Sequence, residues 1–326
     1  MRTLRIALAL LLALSGALVS GTASAQDAYP SKQITLVVPF APGGGLDLTV
    51  RALAPVLQKI VNQPVVVTNK TGAAGAIATQ SVSVAAADGY TVLVGSNFLS
   101  SLPAVDGLFG RAPAFNRRDF QPLALLTADP AILFVNAEQP WKTFKDLAAD
   151  TKAREGTLVF SSSGIYGATH VPIEMVLKAA GLKMRHLPTT GGGPALTAVM
   201  GGNAQVVASF VSVGLPHFKA GKIRALAQYG DKRHPEFADV PTLKELGFDI
   251  EYYPWVGLFM AKAVPEAVMK TLSDAVGKAA KSDEYKQAMT KINAGVDYRD
   301  RAGFAAFFEK DSALIETTLK AIGKVE

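Results

Sequence analysis

The sequence predicts an α/β fold of two lobes, each a mostly parallel sheet flanked by helices, with a cleft between them. Three observations carry that prediction. The chain has 326 residues, 49% of them hydrophobic, which is enough for two cores. Apolar runs rich in β-branched residues alternate with amphipathic or Ala-rich stretches at the spacing of right-handed βαβ units. No linker separates the halves, so the two domains are expected to exchange segments. The first lobe is expected from 26–127 plus 250–326 and the second from 128–249.

The first 25 residues stand apart. A basic "MRTLR", an apolar "IALALLLALSGALV" and a small-residue "ASA" ending at Ala25 make a secretory signal peptide over 1–25. Its apolar run is too short for a lasting membrane span, and no later segment reaches about 18 uninterrupted apolar residues. Export sets the expected compartment. The formal charge of +6 falls to +4 once Arg2 and Arg5 leave with the leader, and the excess is spread thinly along the chain. A nucleic-acid binder concentrates its basic residues and interleaves aromatics, so that class is set aside. Cysteine is absent, which excludes thiol chemistry and a cysteine-linked lipid anchor.

Along the mature chain, "QITLVVPF" (33–40) reads as a buried strand and "LDLTVRALAPVLQKIV" as the helix after a Gly turn. "PVVVTNK" (64–70) is a second strand, 71–87 an Ala-rich helix and "DGYTVLVGS" (88–96) a turn into a third strand. A stretch with several prolines over 103–122 reads as loop-rich, after which the apolar pattern resumes over 123–136. Then come a helix over 143–153, a strand over 156–164, a helix over 168–181 and a short strand over 184–190. A Gly-opened helix follows, then strands over 204–211 and 223–230, and a mainly helical end.

Three turns stand out because each joins a strand to a helix and is rich in glycine or hydroxyls. They are "PFAPGGGLD" (39–47), "SSSGIYGATH" (161–170) and "PTTGGGPALT" (188–197). Each offers backbone N–H groups at a helix N-terminus with few charged side chains, which suits a small carboxylate. In open α/β sheets such turns lie beyond the carboxyl ends of strands, where ligands bind. The first is neither a dinucleotide fingerprint, because Leu48 occupies the position that needs a small residue, nor a P-loop, because no Gly-Lys-Ser/Thr follows.

Enzyme chemistry is harder to assemble. There is no G-x-S-x-G elbow, and "KTG" at 70–72 lacks the S-x-x-K that would give it meaning. His170, His186, His217 and His234 are scattered, so no metal site is expected. No cofactor is implied. Nothing joins a nucleophile, a base and an orienter, so a catalytic role is not expected.

The ordered series "YPSKQITLVVPFAPGGGLDLTVRALAPVLQK", "VVVTNKTGAAGAIATQSVSVAAADGYTVLVG", "GGGPALTAVMGGNAQVV", "PHFKAGKIRALAQYGDKRHPEFADVPTLKELGF" and "WVGLFMAKAVPEAVMKTL" resembles the Bug group. These are the substrate-binding proteins of tripartite tricarboxylate transporters, and the likeness runs through nearly the whole mature chain. The resemblance implies a periplasmic, monomeric, type II-like binding protein that closes on one small carboxylate. It also implies delivery to a permease with a large and a small membrane subunit and no ATP-binding subunits. Carried over by position, the first-lobe contacts are Phe40, Ala41, Pro42, Gly43, Gly44 and Asp47. Those of the second lobe are Ser162, Ser163, Gly164, Tyr166 and His170, with Ser96, Asn97, Ser209 and Phe210 as weaker candidates. One departure bears on specificity: Thr189, Thr190 and Gly191 stand where many relatives have a Pro-Tyr-Lys-Gly-like segment. The ligands implied are di- or tricarboxylates, acidic amino acids or aromatic acids. Phe40, Tyr166 and Phe210 either line the cleft or fill the lobe cores. Closure is expected to hinge near 125–130 and 247–252. A ligand sensor for a membrane receptor shares these features, and an exported hydrolase is the weaker alternative.

Overall fold

Two five-stranded sheets organise the chain, and they repeat one plan. The computed structural model describes residues 29–325, so the expected leader over 1–25 lies outside the described residues. From Lys32 onward the chain folds as one unit. Its first part runs β1 (Ile34–Val38), α1 (Gly45–Val61), β2 (Val65–Asn69), α2 (Ala76–Ser83), β3 (Thr91–Gly95), α3 (Phe98–Leu108) and β4 (Phe120–Ala128). The second lobe follows with β5 (Ile132–Asn136), α4 (Phe144–Ala153), β6 (Val159–Ser162), α5 (Val171–Ala180) and β7 (Arg185–Pro188). It continues through α6 (Gly192–Met200), β8 (Val206–Ser209), α7 (Val211–Lys219) and β9 (Ile223–Gln228). The chain then returns as β10 (Trp255–Ala261), α8 (Glu266–Lys281), α9 (Asp283–Lys291) and α10 (Arg301–Ile322).

The strand orders are β2-β1-β3-β10-β4 and β7-β6-β8-β5-β9. In each sheet the helix-linked strands pair in parallel, and one strand, β10 or β5, pairs antiparallel with both its neighbours. That odd strand is the one the chain enters directly after crossing between sheets. Each lobe therefore contains a strand delivered from the other. The crossings lie at 129–131 and 229–254, where Tyr229 N donates to Ala131 O, Ala131 N to Tyr252 O and Tyr252 N to Tyr229 O.

Several elements differ from their sequence reading. The 103–122 stretch is not all loop, since α3 runs through Pro103. A helix-interior proline costs about 3 kcal/mol, and here burial of Phe98, Leu99 and Val105 holds the helix together. The 123–136 run divides into β4 and β5 at Asp129–Pro130, where proline offers the ladder no donor. The sequence pattern marks neither α7 nor β10. Gly214 and Pro216 mask the first, and the second is an apolar run buried at every position.

The helix α10 joins both cores. Near its start Phe304 and Phe308 pack on β10, with Trp255 edge-on to each at 5.6 and 5.7 Å between ring centroids. Near its end Ile315 and Leu319 enter the core of the second lobe beside Tyr166 and Val171. The Phe304 ring lies on Gly257, where a Cβ would come within 2.2 Å of its Cζ. Gly257→Ala is therefore expected to destabilise the protein by about 1–3 kcal/mol through overpacking, read as a lower urea midpoint. An unchanged midpoint would mean that the ring swings aside freely.

Candidate functional site

The turn after β1 is built by one carboxylate. Asp47, in the first turn of α1, accepts hydrogen bonds from Gly43 N (2.9 Å), Arg51 Nε (2.9 Å) and Asn69 Nδ2 (2.9 Å). Asn69 also donates to Phe40 O at 2.9 Å, so the turn is held from both ends. Gly43 has φ +81°, a left-handed conformation that glycine accepts without strain. Burial pushes the Asp47 carboxyl up, but the Arg51, Gly43 and Asn69 hydrogen bonds outweigh it and hold the group below the usual carboxylate range. A carboxylate with three internal donors is a brace for the turn.

The second lobe contributes three segments. In the turn after β6, Ser163 Oγ lies 2.9 Å from Thr169 Oγ1, which also accepts from Ser163 N at 2.8 Å. Thr189 Oγ1 lies 2.9 Å from both Ser162 O and Gly191 O, so its single hydroxyl proton serves one or is shared between them, shaping the turn after β7. Phe210 stands at the N-terminus of α7.

These segments meet the first lobe backbone to backbone. Ala41 N donates to Thr190 O at 2.9 Å across the cleft. A Cβ on Gly191 would lie 3.0 Å from Ala41 N, one on Gly193 3.2 Å from Pro42 O, and one on Gly45 2.5 Å from Phe210 Cγ. Gly164 meets Ala74 in the same way, at 2.8 Å. The glycine triplets thus leave out side chains where two main chains approach, at Gly191 and Gly193, and where the Phe210 ring packs on Gly45. Between them lies a cavity of about 10 Å³ walled by Phe40, Ala41, Gly44, Gly45, Leu46, Asp47, Ser163, Ala168, Thr169, Gly192 and Phe210. That is close to the room one water needs, so a larger occupant requires the lobes to part. The N-termini of α1, α6 and α7 reach this cavity, and no Lys or Arg side chain among the described residues lines it.

Of the residues expected from sequence, Phe40, Ala41, Gly44, Asp47, Ser163 and Phe210 gather on the cavity wall. Pro42 and Gly43 face a wider groove of about 800 Å³ beside α6 and α7. Ser162 turns its hydroxyl to His186 Nε2 at 2.8 Å. Gly191 sits on the lobe contact, and Thr190 contributes its carbonyl there while its side chain is exposed. Ser209 is buried, with no hydrogen-bond partner for its hydroxyl among the described residues. Thr169, Gly192, Gly45, Leu46 and Ala168 reach the cavity without having been singled out. Thr169 had a signal, lying between the expected Tyr166 and His170 in a hydroxyl-rich turn.

Four expected contacts point elsewhere. Asn97 donates to Asp311 Oδ1 (3.2 Å) and receives the Ser96 hydroxyl (3.2 Å), so this pair faces α10. Tyr166, at φ +56°, bonds through its hydroxyl to Gly323 O (3.3 Å) and Val325 N (2.9 Å), while its carbonyl accepts from Ser101 Oγ at 2.6 Å. It ties the second-lobe turn to α3 and to the segment after α10. His170 is fully buried, 4.4 Å from His186 between ring centroids and packed against Phe160 and Tyr166.

Burial, with His186 beside it, drives His170 well below the ordinary imidazole range, and burial pushes His186 down to about 4. Glu174, whose Oε1 lies 3.6 Å from His170 Nε2, is pushed up to about 7 by burial. A histidine held neutral in the folded state binds its proton more readily when unfolded, so stability falls as the pH drops below about 6.5. Glu174 acts with the opposite sign between about 7 and its ordinary 4.5. His170→Leu is expected to keep or raise the urea midpoint at pH 7.5 and to shrink its loss between pH 6.5 and 5. The same pH slope in both proteins would show that His170 does not carry that loss.

Comparisons with known proteins bear on this arrangement. The sequence profile of the tripartite tricarboxylate transporter family receptor (TctC) matches residues 49–324. Protein BugT of Bordetella pertussis is 32% identical over 271 residues, covering 82% of each chain. Among solved structures, the periplasmic binding protein BugD superposes with a TM-score of 0.85 at 26% identity, over 90% of this chain and 99% of its own. MatC from Rhodopseudomonas palustris with bound malate gives 0.84 at 26% identity, over 89% of this chain and 100% of that one. A TctC solute-binding protein from Polaromonas with no ligand gives 0.64 at 30% identity, over 90% and 99%. With its two mixed sheets and its matched length, the chain belongs to the tripartite tricarboxylate transporter receptor family, among the Bug-type solute-binding proteins.

Proposed function

We propose that this protein captures a small carboxylate in the periplasm between two lobes, 26–127 plus 250–326 and 128–249, and delivers it to a tripartite tricarboxylate-type permease. The observation that carries the reading is the convergence of helix N-termini from both lobes on one cavity without a cationic side chain. Unpaired first-turn amides and aligned peptide dipoles favour an anion there. Ser163 and Thr169 add hydroxyls at the same wall. The protein binds and releases its ligand unchanged, acting as a monomer, and the crossings near 125–130 and 247–252 serve as hinges.

Binding acts as a population shift, because contacts from both lobes exist only when they are closed. The superpositions support this. The unit from Lys32 onward follows the malate-bound relative more closely than the ligand-free one, although the latter is more similar in sequence. Malate is accordingly the first acid to test, and the hydroxyls of Thr189 and Thr190 leave room for a specificity of this chain's own.

A thermal-shift screen of the mature protein checks the ligand class. A bound acid at about 100 times its dissociation constant should stabilise by about 2.7 kcal/mol, while its amide or diester should not. Shifts with neutral analogues alone would overturn the carboxylate reading. Gly45→Ala tests closure, because its Cβ would overlap the Phe210 ring only when the lobes meet. Titration calorimetry should show affinity reduced by about tenfold, in line with the cost of overpacking, with little change in the ligand-free melting temperature. Undiminished affinity would mean that closure does not require this contact.

A further inference from the structure

A second cavity, of about 660 Å³, lies at the hinge and shares no wall residue with the cavity between the lobes. Its walls come from both lobes and from the crossing between them. Ala128 ends β4, Tyr252 and Tyr253 lie on the return crossing, Met175 belongs to α5, and Phe307 and Leu314 project from α10. Its size falls within the range of small-molecule sites, about 300–1,000 Å³, and its body is apolar and aromatic. Leu314 is 56% exposed at this wall, a large apolar side chain left against solvent.

The charged groups around it are unequal. Arg299 is paired with Asp297 at 2.7 Å and lies 4.6 Å over the Phe307 ring. Glu251 is paired with Lys244. Lys310 has no ion-pair partner among the described residues and is exposed on the wall. Asp311 is the remaining acid. It accepts from Trp255 Nε1 (3.0 Å) and Asn97 Nδ2 (3.2 Å), and burial raises its carboxyl to about 7, so its charge near neutral pH is incomplete.

We propose that this hinge cavity is a second binding site, for an amphipathic monocarboxylate whose aromatic or branched-alkyl body lies on Phe307, Tyr252 and Leu314 while its head meets Lys310. The return crossing and the last residue of β4 line the site together with α5 and α10, so its shape depends on the angle between the lobes. Occupancy then changes affinity in the cleft, and by linkage a cleft ligand changes affinity at the hinge by the same factor. Asp311 extends the connection through Asn97 to the end of β3.

The test uses the full mature chain labelled with 5-fluorotryptophan, whose two tryptophans, Trp141 and Trp255, give two fluorine resonances assigned with Trp141→Phe. The probe is 4-phenylbutyrate, with 4-phenylbutanamide as its neutral counterpart. The Trp255 resonance should shift saturably with the acid, with the amide at least about tenfold weaker, as expected for a charge-assisted contact. Ala306→Phe, which fills the wall, should abolish the shift. Lys310→Ala, an exposed change that does not threaten folding, should weaken it by roughly tenfold. No saturable shift, equal binding of acid and amide, or a shift that survives both substitutions would overturn the proposal. None of these readouts needs a cleft ligand, so a failure here is distinct from a failure of the carboxylate reading.

Discussion

The hydrogen bond from Ala41 N to Thr190 O, 2.9 Å long, depends on two main chains meeting with nothing between them. A single β-carbon at Gly191 or Gly193 would intrude on the facing backbone. The bracing of the first turn by Asp47, the hydroxyl pairing of Ser163 with Thr169 and the Thr189 bonds all hold a turn in the shape that permits this approach. Because helix N-termini reach the cavity and no Lys or Arg among the described residues lines it, the proposed recognition of an anion falls to oriented amides. Such a site needs no buried cation, and it avoids the desolvation penalty that an unpaired charge incurs when no ligand is present.

Around that contact the fold repeats one sheet plan twice and exchanges a strand each way. β5 and β10 each pair antiparallel in the sheet they enter, so neither sheet is complete until the chain has crossed. α10 adds a third tie, with an aromatic cluster in one core and Ile315 and Leu319 in the other. Tyr166 fixes one turn of the cleft to α3 and to the residues beyond α10. The turns that wall the cavity are thus held by the same elements that join the lobes.

Most strands were legible because β-branched apolar runs are distinctive, and most helices because they begin at glycine or hydroxyl turns. Local rules failed where tertiary packing overrode them. Pro103 and Pro216 lie inside helices kept by burial, and β10 lacks the alternation that marks a half-exposed strand. Within the cleft, the turns were legible but not the direction of each side chain. Tyr166 and His170 belong to the same ten-residue motif as Ser163 and Thr169, yet their rings point into a core or toward the chain's end. Spacing along a turn does not encode that choice, because it depends on what the rest of the chain packs behind it.

The proposed recognition through main-chain amides also has an evolutionary consequence. A substitution changes a side chain but leaves the peptide N–H in place, so the anion clamp is largely sheltered from sequence drift provided its glycines persist. The groups proposed to meet the remainder of a ligand, such as Phe40, Phe210 and Thr169 on the cavity wall, are side chains and are free to diversify. A lineage built on this scaffold is able to exchange one acid for another by altering a handful of positions, without reinventing how the charged end is held.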